Sequence, residues 1–223
     1  NEQVLIPRQD TEILVEEVLK ELHDGMRVLD MCTGSGCILL SLLHYSNDCE
    51  GLGVDLSAEA LEVAGRNVLK VLTPEKAEHA HFLQSDLFEK VEGKFEIIVS
   101  NPPYKKPDSG EMDKNETRAV SKYELKLTLD ELIENARRLL KFRGKFYMVH
   151  RADRMAECIY KLKQNNIEPK VMTLVYPKAE KSPDVVIYEC IKGASEGVKI
   201  NTLIVYDEDG EYTALARKMY SKD

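Results

Sequence analysis

The residues Asn101-Pro102-Pro103-Tyr104 form the most specific chemical signal in the chain. An amide or aromatic amine nitrogen is a poor nucleophile, because its lone pair is delocalised into the adjoining π system. The carboxamide oxygen of Asn101 and the main-chain carbonyl of Pro102 can accept the two N–H bonds of such a nitrogen. Those contacts favour a pyramidal nitrogen and strengthen as positive charge develops on it. Pro103 restricts Pro102 to an extended geometry and so fixes the direction of that carbonyl. Tyr104 offers a face for stacking a planar group. No His or Lys sits in the motif, in keeping with a nitrogen that needs no general base before it attacks. Taken alone, Asn-Pro-Pro-Tyr is also a rigid turn.

A second constellation lies upstream. Asp30-Met31-Cys32-Thr33-Gly34-Ser35-Gly36 joins an apolar β-type run to an apolar helical run. Gly34 and Gly36 let the backbone turn tightly and approach a ligand without Cβ interference. A dinucleotide fold would hold pyrophosphate here on G-x-G-x-x-G. In this chain Leu39 stands at the third glycine position and an acid, Asp30, precedes the turn. A carboxylate there repels phosphate but suits a cationic amino-acid group, such as the methionine end of S-adenosylmethionine. Asp55, with Leu56 after it, closes the next strand, where a carboxylate can take two ribose hydroxyls. Asp86 and Leu87 follow the third strand, positioned for an adenine. Acids at three successive strand ends point to a ligand, because the carboxyl ends of a parallel sheet are where ligands bind. Each acid taken singly also reads as a helix cap, Asp86 most readily.

The elements that must position these residues are legible as alternation. Strand-like runs are 27–31, 51–55, 81–84, 95–100 and 145–150, with helices over 37–44, 57–71, 128–141 and 154–164 between or after them. Two late runs, 170–176 and 184–191, have only a loop between them, and 202–206 is a further strand candidate. Strand, helix, strand repeated this way predicts a parallel sheet covered on both faces, with right-handed crossovers. The expectation is an α/β, Rossmann-like class I methyltransferase fold: one domain over 1–223 and a mostly parallel seven-stranded sheet with an antiparallel edge hairpin. Residues 1–104 would form its cofactor-binding half and residues 105–223 its substrate-facing half and tail. The irregular stretch from Lys105 to about Val120 follows the Pro-Pro loop and reads as a substrate loop or lid.

Bulk properties narrow the class. The chain has 223 residues, 43% of them hydrophobic, and a formal net charge of −8. Residues 1–104 carry 8 basic against 19 acidic side chains, residues 105–223 carry 23 against 20. The mildly basic second half is the one expected to meet a polyanion, although solvated helix faces give the same asymmetry. No apolar run approaches the roughly 20 residues of a membrane helix, and no secretory leader is seen. The chain opens on Asn1 rather than Met, so an earlier start of the natural protein is an expectation. Cys32, Cys37, Cys49, Cys158 and Cys190 show no C-x-x-C pairing and read as reduced thiols of a cytoplasmic protein, with no metal site expected. His150, at the end of the fifth strand, reads as a surface-loop residue or as a pocket lining.

Residues 1–104 resemble the bacterial release-factor glutamine N5-methyltransferases. The likeness rests on Val4-Leu5-Ile6-Pro7-Arg8-Gln9-Asp10-Thr11-Glu12, on 28–38, on 51–60 and on Ile97 to Tyr104. It implies S-adenosylmethionine as cofactor, with its methionine end at Gly34 and Gly36, its ribose at Asp55 and its adenine at Asp86. Asn101 and Pro102 would then grip the amide. After Tyr104 the likeness changes. Residues 105–124, 144–154, 175–178 and 203–212 resemble the bacterial adenine N6-methyltransferases of a valine tRNA, which share Asn-Pro-Pro-Tyr. The chain therefore reads as a mosaic joined near residue 104, without the helical domain that release-factor enzymes carry before their catalytic part.

Three functions are expected in order: transfer to the N6 of a tRNA adenine; transfer to the N5 of a release-factor glutamine; cofactor binding without turnover. The tRNA reading predicts a basic surface from Lys105, Lys106, Lys114, Arg118, Lys122 and Lys126, and from Arg151 and Arg154. The interleaved acids Asp108, Glu111, Asp113 and Glu116 dilute it.

Overall fold

The computed structural model describes residues 9–86, 88–102 and 127–220. Helix α1 spans Gln9–Leu19, β1 Arg27–Met31, α2 Cys37–Tyr45, β2 Glu50–Asp55, α3 Ala58–Val71, the short α4 Pro74–Ala77, β3 Ala80–Gln84 and β4 Phe95–Ser100. Then come α5 Leu129–Leu139, β5 Leu140–Arg151, a 3-10 turn Ala152–Arg154, α6 Met155–Gln164, β6 Ile167–Tyr176, β7 Val185–Lys192, β8 Lys199–Ile204 and α7 Ala214–Tyr220.

Eight strands form one sheet in the order β3-β2-β1-β4-β5-β7-β6-β8. The β1 to β5 pairings are parallel, β7 runs antiparallel between β5 and β6, and β8 pairs parallel with β6. The Rossmann-like class is as expected; the strand count of seven is corrected to eight. The extra strand is a weak signal because it is an edge. Of Lys199–Ile204 only Leu203 is fully buried, so the run lacks the continuous apolar character of the interior strands. The hairpin strand β6 is likewise interior rather than terminal, since β8 pairs with it and extends the sheet.

Alternation of side chains across the sheet divides the core in two. Val28, Ile97, Val99, Tyr147, Val149 and Ile187 face α1, α2 and α3. Leu29, Met31, Ile98, Phe146, Met148 and Tyr188 face α5 and α6. Each such fully buried side chain contributes about 1.5–3 kcal/mol of transfer free energy. Helix starts follow local chemistry: the Ser57 hydroxyl accepts from the Ala60 amide at 3.1 Å. Thr128 and Glu131 form a reciprocal capping box at the start of α5.

Candidate cofactor and acceptor site

The register brings the sequence-marked groups to one end of the sheet. Met31 lies opposite Val54 on one side and Ser100 on the other, and Asp55 lies opposite Gln84. The Ser100 hydroxyl donates to the Met31 carbonyl at 2.9 Å, which ties the end of β4 to the end of β1. Between β1 and α2 the backbone turns through left-handed conformations at Cys32 (φ 66°), Gly34 (φ 56°) and Gly36 (φ 77°). Gly36 is needed twice over: a side chain would disfavour its φ, and a Cβ would lie 3.1 Å from that of Ala64.

Asp30 is fully buried, and Thr33, 5% exposed, donates its hydroxyl to Oδ2 at 2.7 Å. Oδ1 has no hydrogen-bond partner among the described residues. Burial pushes the Asp30 carboxyl up to about 7, and the Thr33 hydroxyl and the Leu39 backbone offset only part of that. A buried oxygen left unpaired is costly, and a cationic ligand group would relieve it. Asp55 is also buried, but both of its oxygens are engaged. Oδ2 accepts from the Gly34 amide at 2.9 Å and Oδ1 from the Ser57 amide at 2.9 Å. Burial raises its carboxyl, while those amides pull the other way. Each oxygen keeps a further lone pair, so Asp55 can brace the glycine turn and still accept ribose hydroxyls. Leu56 is half-buried, and its carbonyl accepts from Gln84 at 3.0 Å. The Asp86 side chain is exposed, and its carbonyl takes the Glu89 amide at 3.2 Å. Leu87 lies outside the described residues.

On the acceptor side, Asn101 is half-buried and Pro102 buried, directly after β4. The Asn101 side-chain amide donates to the Thr11 hydroxyl at 3.0 Å. Thr11, on α1, lies in the opening segment that carries the family likeness, but sequence reasoning gave it no place in the site, because its contact is 90 positions away. Pro103, Tyr104 and the lysines from Lys105 to Lys126 lie outside the described residues. Arg151 pairs with Asp153 and Arg154 with Glu157, so both of these cations carry local partners. His150 is buried within β5 rather than on a surface loop, because the strand runs on to Arg151 and pairs His150 with Val186. Burial, followed by the Arg154 charge, lowers its ring to about 4.

Among the described residues no helix is long and apolar enough to cross a membrane, and no group of three or more His, Cys, Asp or Glu side chains could hold a metal ion.

The chain matches known proteins at two levels. The family model described as "Methyltransferase small domain" matches residues 8–171. A release factor glutamine methyltransferase from Leptospira interrogans is 50% identical over 109 residues, covering 47% of this chain and 37% of that protein. The chain thus spans little more than a third of that relative's length. Among solved structures, a predicted O-methyltransferase from Agrobacterium tumefaciens superposes with a TM-score of 0.71 at 16% identity, over 94% of each chain. The magnesium protoporphyrin IX methyltransferase of Synechocystis, solved with bound SAM, superposes with a TM-score of 0.59 at 15% identity, over 82% of this chain and 79% of that one.

Proposed function

The chain belongs to the methyltransferase small domain family, with S-adenosylmethionine as its cofactor, and we propose that it transfers the methyl group to the amide nitrogen of a glutamine in a protein of the release-factor class. The observation that carries this reading is the placement of Asn101 and Pro102 immediately after β4, which the Ser100 to Met31 bond ties to the glycine turn. The 50% identity to a release factor glutamine methyltransferase supports glutamine ahead of tRNA adenine, which the resemblance of the second half to the tRNA enzymes and its mildly basic character favour.

Gly34 and Gly36 would admit the methionine end, Asp30 would face its ammonium, Asp55 the ribose and Asp86 the adenine. The residues fit that group: a buried carboxylate oxygen without a partner suits a cation better than a phosphate. When bound, S-adenosylmethionine supplies an electrophilic methyl group on a sulfonium. Asn101 Oδ1 and the Pro102 carbonyl accept the two amide N–H bonds, which localises the nitrogen lone pair toward the methyl. The Asn101 and Pro102 carbonyls would keep the nitrogen oriented while it takes the methyl in exchange for one of its protons, which would pass to solvent. Holding both reactants in line is itself a large part of catalysis.

A second reading, transfer to the N6 of a tRNA adenine, shares this geometry, since that amine is planar too. Tritiated-methyl transfer to purified release factor and to unmodified bulk tRNA separates them. Label in release factor supports the glutamine reading. Label in tRNA, lost at high salt through phosphate contacts, would overturn it in favour of the nucleic acid. Cofactor binding with label in neither would mean a binding module without turnover.

A further inference from the structure

We infer that Thr11 is a positioning residue that holds the Asn101 carboxamide in its acceptor-gripping orientation, an inference that rests on the proposed N-methylation site. An asparagine carboxamide has two faces of opposite polarity, an N–H donor pair and a carbonyl acceptor. Only the carbonyl can accept an N–H from a planar nitrogen. If the group turned over, its own N–H would meet the substrate N–H, and the contact would change from attractive to repulsive. The Thr11 hydroxyl accepts from Asn101 Nδ2 at 3.0 Å, which uses the donor side and leaves Oδ1 for the acceptor.

Thr11 is well placed to hold the group in this contact. It is 5% exposed, near the start of α1, and the helix is fixed by Ile13, Leu14, Val15 and Val18, all buried. Those side chains share a core cluster with Ile97 and Val99 of β4 and Tyr147 and Val149 of β5. The Ser100 to Met31 bond fixes the backbone just before Asn101. One anchor therefore holds the main chain of the loop and another holds its side chain. The two come from separate elements, so α1 completes the acceptor site although it lies 90 residues upstream. This also gives a physical role to part of the opening Asp10-Thr11-Glu12 segment, beyond family likeness.

The test compares Thr11→Val, which keeps shape and removes the hydroxyl, with Thr11→Ser, which keeps the hydroxyl. Selective ¹⁵N-asparagine labelling of the full chain, with Asn101→Ala to assign the signal, reads the side-chain amide directly. Thr11→Val should shift the Asn101 side-chain amide signal and speed its exchange with water, and Thr11→Ser should leave it near wild type. Kinetically, Thr11→Val should lower kcat by about 10–100-fold, the scale of losing one oriented contact. The Kd for S-adenosylmethionine should stay within about 3-fold, and Thr11→Ser should restore the rate. An unmoved Asn101 signal in Thr11→Val overturns the inference. So does a rate loss matched by loss of cofactor affinity, or one that serine does not rescue. If wild type labels neither release factor nor tRNA, the acceptor reading fails, and the amide signal alone decides the role of Thr11.

Discussion

The two ends of the parallel sheet differ in how completely their polar groups are satisfied. At the amino end, charges are satisfied by the protein itself. The Arg27 amide donates to Glu96 at 2.9 Å, and Arg27 lies 4.8 Å from the centre of the Phe95 ring. Arg138 donates to the Phe88 and Val91 carbonyls at 2.8 and 3.3 Å, and Lys192 caps the end of α5 through the Arg137 and Leu140 carbonyls at 2.6 and 2.9 Å. At the carboxyl end, a fully buried carboxylate keeps one oxygen without a partner among the described residues, and three left-handed residues fall within five positions. One end is closed by its own partners, and the other is the end at which we propose that the ligand binds. The difference teaches that incomplete satisfaction, rather than the mere presence of acids, marks the functional end.

The comparison breaks most visibly if variants at the carboxyl end affect only stability. The largest expected effect is that of Asn101→Ala: transfer should fall by about 100–1,000-fold, as when one oriented stabilising contact is removed from an active site. Cofactor affinity measured by calorimetry should stay within a few-fold. Next is Asp55→Ala, which removes the proposed ribose acceptor and the brace on Gly34 and Ser57. It should weaken S-adenosylmethionine binding by roughly tenfold to a hundredfold, with about 1–3 kcal/mol lost from the unfolding free energy.

Asp30 sharpens the comparison through pH. Its folded carboxyl lies at about 7 against an ordinary value of 3.8, so between those values the folded chain binds more protons than the unfolded one. Stability of the cofactor-free protein should therefore fall as pH rises through that window. Affinity for the cationic cofactor should rise over the same window, because the ionised carboxylate is the better partner. Asp30→Asn should flatten both trends; equal pH slopes in the variant and wild type by calorimetry and urea unfolding would count against this assignment. The smallest effect is expected at the other end. Arg138→Met should cost about 1–2 kcal/mol of stability in urea unfolding and leave cofactor affinity unchanged.

Much of this geometry is legible in local pattern. The runs 27–31 and 95–100 coincide with β1 and β4, and Ser57 caps α3 as its side chain requires. These succeed because buried parallel strands are continuous apolar runs bounded by turns. What escapes is non-local or on an edge. Helix α1 was hidden because Ile13-Leu14-Val15 is a block rather than a spaced stripe. The edge strand β8 shows little apolar bias, and the Thr11 to Asn101 bond joins distant segments. The burial of His150 depends on β5 extending to Arg151 and pairing with β7, which its own neighbours do not signal.

The most direct test of the central claim, methyl transfer to a planar nitrogen, is the chemical identity of the product. Release factor incubated with this protein and tritiated S-adenosylmethionine should carry label that survives mild base and is recovered after proteolysis as N5-methylglutamine. Label released by mild base as volatile methanol would place the methyl on a carboxylate oxygen instead. That result would contradict the role assigned to Asn101 and Pro102.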